Sequence, residues 1–139
     1  MTSHNAAQGT LNAQLAHLTF RVYLGLNIAL HGLVRIPKLS EFSHGLVAGF
    51  AQTPLPAWSV LSFAYVLVPA EVVVGSMVLL GVQLRVSLVA GIGLMALLTF
   101  GTIVREQWNT AGLQLPYAMA YAALLATLHH QRWTLWPSR

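Results

Sequence analysis

Four stretches of the chain are almost wholly apolar: 15–36, 58–82, 86–104 and 113–130. Each is close to the ~20 residues that carry a helix across a ~30 Å hydrocarbon core. Only helices and closed barrels satisfy their own backbone in lipid. No run of about ten alternating residues, the mark of a membrane barrel strand, occurs here. The pattern therefore predicts four transmembrane helices. The links at Gly81–Arg85 and Arg105–Gly112 are short, which forces antiparallel neighbours and an up-down-up-down four-helix bundle. The first link, Pro37–Ala57, is longer. Within it Leu39, Phe42, Leu46 and Phe50 recur at helical spacing, while Lys38, Glu41 and Ser43 fall elsewhere. This predicts a short amphipathic helix in the interface or capping the bundle, ended by Pro54 and Pro56.

The flanks read differently. Met1 to Gln14 is polar or small and has no Lys or Arg, a poor signal-peptide start. It is expected to stay on the protein as a flexible tail, with residues 132–139 as a short C-terminal tail. Trp58, Trp108, Trp133 and Trp136 fall at or beyond span ends, where indole prefers the headgroup level. Small residues mark expected helix contacts: Gly75 on the second span, Gly91 and Gly93 on the third, and the stripe Ala118, Ala122 and Ala126 on the fourth.

Composition supports the membrane reading and excludes others. Of 139 residues 56% are hydrophobic and 7% charged, against roughly 25% charged in soluble domains. Ten charges cannot clothe a soluble fold of this size. The net charge of +4 does not indicate nucleic acid, because the basic residues stand singly rather than in runs. Arg21, Arg85, Arg132 and Arg139 belong to the end that carries the N-terminus, and Arg35, Lys38 and Arg105 to the other. That small excess places both termini in the cytoplasm. There is no cysteine, so no thiol chemistry or thiolate metal site is available.

The residues that carry candidate chemistry are few. Glu71 sits in the second span two residues after Pro69. An intramembrane carboxylate costs a few kcal/mol unless it finds a partner or a proton. It is read either as a proton-handling group or as half of a structural ion pair, with Arg21 on the first span as the expected partner. Toward the other surface, His31 and Arg35 share a helix face. Lys38, Glu41, His44, Arg105 and Glu106 gather at that end and suggest a mouth for an anionic or quinone-like headgroup. Each cation there also suits a plain interface anchor. Asn27, Tyr117 and Tyr121 are candidate ligand contacts or interhelical hydrogen bonds. His17 and the His129–His130 pair fall at one surface, yet no carboxylate or thiolate joins them and no metal-binding spacing appears among the six histidines. No metal and no covalent cofactor is expected.

Three segments carry a resemblance. The first span reads RVYLGLNIALHGLVR, Arg21 to Arg35; the loop reads GFAQTPLPA, Gly49 to Ala57; the second span reads PAEVVVGSMVLLGVQLR, Pro69 to Arg85. This resembles the DoxX-like family of small four-helix bacterial membrane proteins. The matching positions are Arg21, Gly25, His31, Gly32, Arg35, Pro54, Ala70, Glu71, Gly75, Leu80, Gly81 and Arg85. Arg35 stands where Lys is commoner and Ser76 where a second Gly is frequent. The resemblance spans roughly Phe20 to Arg105. It implies a multi-pass protein of the bacterial inner membrane, associated with a thiosulfate:quinone oxidoreductase or a similar redox assembly. The lack of cysteine argues against thiol exchange.

Three functions follow as expectations. The first is a redox-associated membrane subunit that binds quinone and works with a partner oxidoreductase or respiratory-type complex. The second is a structural accessory subunit that docks other membrane subunits and has no ligand chemistry. The third is a small-solute transporter, disfavoured because no inverted repeat relates the two halves. A cavity beside Glu71 large enough for a ring distinguishes the first.

Overall fold

The computed structural model describes residues 2–136, with side chains from Asn5 onward. Regular structure in this range is helical apart from one isolated β-bridge between Val82 and Trp136. Four long helices, α1 (Thr2–Leu33), α3 (Ala57–Leu80), α4 (Leu84–Val104) and α5 (Trp108–Ala126), are joined by tight turns and by the shorter α2 (Leu39–Gly49). Two of them, α3 and α4, are long and apolar enough to cross a membrane.

Glycine sets a close backbone contact between two of these helices. Helices α1 and α3 run antiparallel with Gly25 and Gly75 facing each other. A Cβ on Gly75 would lie 2.7 Å from the Cα of Ala29, and one on Gly25 2.7 Å from the Cα of Leu79. Small residues let two backbones approach this closely. The second intimate pair is α4 with α5, where the Tyr121 ring lies against Gly91. The turn from α3 to α4 closes on Gly81, whose φ of 69° suits the left-handed end of a helix. There the Val82 amide reaches back to the Met77 carbonyl at 2.9 Å.

The connecting helix α2 packs as its spacing predicts. Phe42, Leu46 and Phe50 face Phe63 and Leu67 of α3 and Leu97 of α4, so α2 closes one end of the bundle. Arg105 at the end of α4 holds it there, donating from Nε to the Gly49 carbonyl at 3.1 Å and lying over the Phe50 ring. Ser43 is an exception to the expected polar face. It is fully buried, with its hydroxyl donating to the Ser40 carbonyl at 3.0 Å. That local bond satisfies the hydroxyl without water.

Several boundaries depart from the apolar pattern. The stretch expected as a flexible tail is helical from Thr2, with Met1 outside the described residues. Extending an existing helix gains one hydrogen bond per residue fixed, and no proline interrupts this stretch. At 1.5 Å per residue α1 is about 48 Å long. Helix α5 begins at Trp108 rather than 113 and stops at Ala126, followed by a 3₁₀ turn at Leu128–His130. Hydropathy marks apolar side chains, whereas helix ends are set by backbone hydrogen bonding, which continues through polar residues. The C-terminal residues through Trp136 fold back over the α3–α4 turn, with the Gln83 amide on the Trp136 carbonyl at 2.9 Å and the Leu135 amide on that of Leu80 at 3.1 Å. Residues 137–139 of the expected tail, and with them Arg139, lie outside the described range. The alanine stripe also departs: Ala122 and Ala126 are exposed, and Gly93 faces open space.

Candidate functional site

The register of α1 against α3 decides which charges meet. Gly25 packs on Leu79, Ala29 on Gly75 and Gly32 on Val72. Glu71 is therefore level with the last turn of α1, and Arg21 with Gly81 at the other end of α3. The expected Arg21–Glu71 pair does not form. Instead Arg35, just past α1, turns inward, and its Nη1 donates to Glu71 Oε1 at 2.7 Å and to Oε2 at 2.6 Å. Among the described residues this is the one ion pair. Its geometry has a structural cause. Helix α1 ends at Leu33, short of the apolar limit, and α2 fills the space beyond it. Arg35 is thereby held at the depth of Glu71 rather than at the surface. The guanidinium also lies 4.8 Å from the centre of the Phe42 ring on α2, a favourable place for a cation.

The pair forms one wall of a cavity of about 240 Å³ bounded by all four long helices. Asn27, Ile28 and His31 line it from α1, Glu71 from α3, Met95 and Leu98 from α4, and Thr110, Leu113, Gln114 and Tyr117 from α5. Its walls are mainly apolar, with a few convergent polar groups, the usual make-up of a small-molecule site. An apolar cavity of ~150 Å³ is known to take up benzene, so the volume admits a six-membered ring. Asn27 Oδ1 is buried there without a hydrogen-bond partner. Gln114 accepts from the Thr102 hydroxyl at 3.2 Å. The charges of Arg35 and Glu71 cancel, so the cavity presents a neutral, hydrogen-bonding interior suited to an uncharged headgroup that carries oxygen.

Four of the five expected ligand residues meet here: Asn27, His31, Arg35 and Tyr117. Tyr121 does not. It is fully buried against Gly91, one turn deeper on α5, and its hydroxyl has no partner among the described residues. Gln114 and Thr110 are additions to the expected set. Thr110, Gln114, Tyr117 and Tyr121 follow helical spacing on one face of α5. The start of α5 at Trp108 brings Thr110 into that face.

On the outside, Arg35 also borders an open hollow with Lys38, Glu41 and Arg105, whose remaining lining, Val34, Phe42 and Leu46 among it, is apolar. His44 points elsewhere, with Nδ1 on the Ser40 carbonyl at 2.8 Å.

The opposite end of the bundle holds Arg21. Its side chain is buried, and Nη2 donates to the Trp133 carbonyl at 3.0 Å. All three acidic side chains of the chain belong to the other half, so no carboxylate side chain balances it. Nearby His17 is buried, with Nδ1 3.1 Å from the Thr127 hydroxyl. Among the described residues no three metal-ligating side chains gather here or elsewhere. Arg21 thus ties the C-terminal strap to the bundle. Arg21→Met keeps the side-chain volume and removes the tie. It is expected to release the strap without lowering overall stability, since an uncompensated buried charge costs free energy rather than supplying it. Faster proteolysis around Trp133 with a melting temperature no lower than wild type is the result to look for. Comparison with protein-family models, curated proteins and solved structures finds no match to this chain.

Proposed function

We propose that the chain is a four-span membrane bundle that holds a quinone, or a lipid of similar headgroup, in the Glu71 cavity for a redox partner in the same membrane. The cavity carries this reading: a ring-sized, mostly apolar space with Asn27, His31, Tyr117 and the Arg35–Glu71 pair turned toward it. The distribution of charge and apolar surface supports the membrane part. Val66, Val73, Val86, Val89, Leu97 and Phe100 are each more than half exposed on α3 and α4, a surface that hydrocarbon covers and water disfavours. Trp58 and Trp108 stand exposed at one end of the bundle, Trp133 and Trp136 at the other, as two aromatic belts. On this reading α1 from about Leu15 and all of α5 complete the four spans.

Six of the twelve positions that carry the DoxX-like resemblance pair off in space. Gly25 meets Gly75, Arg35 meets Glu71, and the Arg21 guanidinium lies against Gly81. With no redox centre of its own, the protein relies on a partner for electrons. His31 on the cavity wall is the group suited to relay protons when a quinone is reduced, while Glu71, paired with Arg35, holds its charge.

The test is mass spectrometry of lipophilic molecules extracted from protein purified gently out of its native membrane. Wild type is expected to carry close to one quinone or single-tailed lipid per chain. Glu71→Gln, which leaves Arg35 without its counter-charge, is expected to carry at most a tenth as much. The exposed apolar faces of α3 and α4 also suit docking on larger subunits, which favours the accessory reading. A large complex that persists with no bound lipophile in either form would establish that reading and remove the quinone site.

A further inference from the structure

A second groove adjoins the Glu71 cavity. It measures about 220 Å³ and runs down the outer surface between α1 and α5, lined by Phe20, Tyr23, Leu24, Pro116 and Ala120. Asn27 and Tyr117 line both the groove and the cavity. The two spaces therefore share a polar threshold, and the groove beyond it is apolar. Helix packing explains the opening. Helix α1 spends its contacts on α3 and meets α5 only sparsely. In α5, Pro116 lacks an amide to donate to the Gly112 carbonyl, which loosens that turn.

We infer that the α1–α5 groove holds the hydrocarbon tail of the ligand whose headgroup occupies the Glu71 cavity, so that the ligand is a single-tailed lipid admitted sideways from the bilayer. This rests on the ligand-binding reading above and adds the ligand class and its route. The shared residues fix the geometry. A headgroup oxygen at the threshold reaches the Asn27 amide and the Tyr117 hydroxyl, while a chain attached to that headgroup has an apolar path out beside Leu24 and Ala120. The hollow at Arg35, Lys38, Glu41 and Arg105 is rimmed by charged groups, which suits proton exchange, and it meets the cavity only at the charged Arg35, so it offers a tail no continuous apolar path. Membrane lipid is as apolar as the groove, so the groove contributes direction and shape more than affinity. The decisive evidence is therefore steric.

The experiment compares two probes on the full chain in lipid nanodiscs: decylubiquinone, which has a tail, and the same benzoquinone ring without one. Ala120→Phe places a ring in the groove and leaves the Glu71 cavity untouched. The tailed probe is expected to bind at least tenfold more weakly to this variant, with the tailless probe unchanged. Equal binding of both probes to wild type and Ala120→Phe would place the tail elsewhere and overturn the inference while the cavity reading stands. No binding of either probe to wild type would remove both. A decyl tail ending in a photoreactive diazirine gives a readout on the unaltered protein. Labelling is expected on the peptides around Phe20–Leu24 and Pro116–Ala120, and labelling confined to α2 or α4 would overturn the route.

Discussion

Gly75→Val is expected to unfold the bundle or to lower its stability by more than ~3 kcal/mol. Overpacked cores with side chains that yield cost about 1–3 kcal/mol. At Gly75 the obstacle is the Ala29 backbone, with Cα only 2.7 Å from the new Cβ, and a backbone yields only if the whole helix moves. Parting α1 from α3 would also disturb the register that aligns Arg35 with Glu71. Gly93→Ala is the matched control, since nothing lies within 4 Å of its Cβ position. Its effect should be neutral or stabilising by up to ~1 kcal/mol, the gain of Ala over Gly inside a helix. Thermal unfolding in detergent, followed by circular dichroism, measures both. A Gly75→Val protein that melts with wild type would mean that the two helices do not cross there.

Removing Arg35 is expected to cost about 3 kcal/mol, the low end for breaking a buried ion pair because the Arg35 side chain is 30% exposed. The two halves of the pair are unequal. The Glu71 side chain is only 5% exposed and sits mid-helix, so it cannot reach water when its partner is lost. Arg35 borders the outer hollow and can turn into it. Arg35→Leu should therefore destabilise more than Glu71→Gln. The double variant should recover most of the Arg35→Leu loss, because a neutral amide needs no counter-charge. Denaturant titration of the four proteins gives the coupling directly. If the two single losses simply add in the double variant, the pair is not a coupled unit. If Glu71→Gln proves the more harmful, the proposed escape of Arg35 into the hollow is wrong.

These two sites differ in how plainly the sequence announces them. The chemistry of the cavity was legible: a carboxylate in an apolar stretch, a His and Arg on one helix face, and polar residues within apolar segments all mark unusual positions. Asn27, His31, Arg35, Glu71 and Tyr117 come from that reading alone. The partner of Glu71 was not legible. Depth counted from the ends of apolar stretches assumes that each helix ends where its apolar run ends. Helix α1 breaks that assumption by stopping at Leu33, with α2 folding over the gap. Tyr121 was misplaced for a related reason. It shares a helical face with Tyr117, yet the glycine that lets its ring sink into the core lies on another helix, at Gly91.

The sequence by itself determined that the chain is helical, where its apolar segments run, that α2 is amphipathic, and which few polar residues stand inside apolar surroundings. Those properties follow from local periodicity and from the cost of placing each side chain in oil, and both are written residue by residue. The tertiary structure alone decided that Arg35 rather than Arg21 neutralises Glu71, that Gly25 and Gly75 meet, that a ring-sized space remains among the four long helices, and that an apolar groove runs beside it between α1 and α5. These depend on register, on where one helix stops against another, and on the volume left when unequal side chains pack, and no single segment of the chain contains that information.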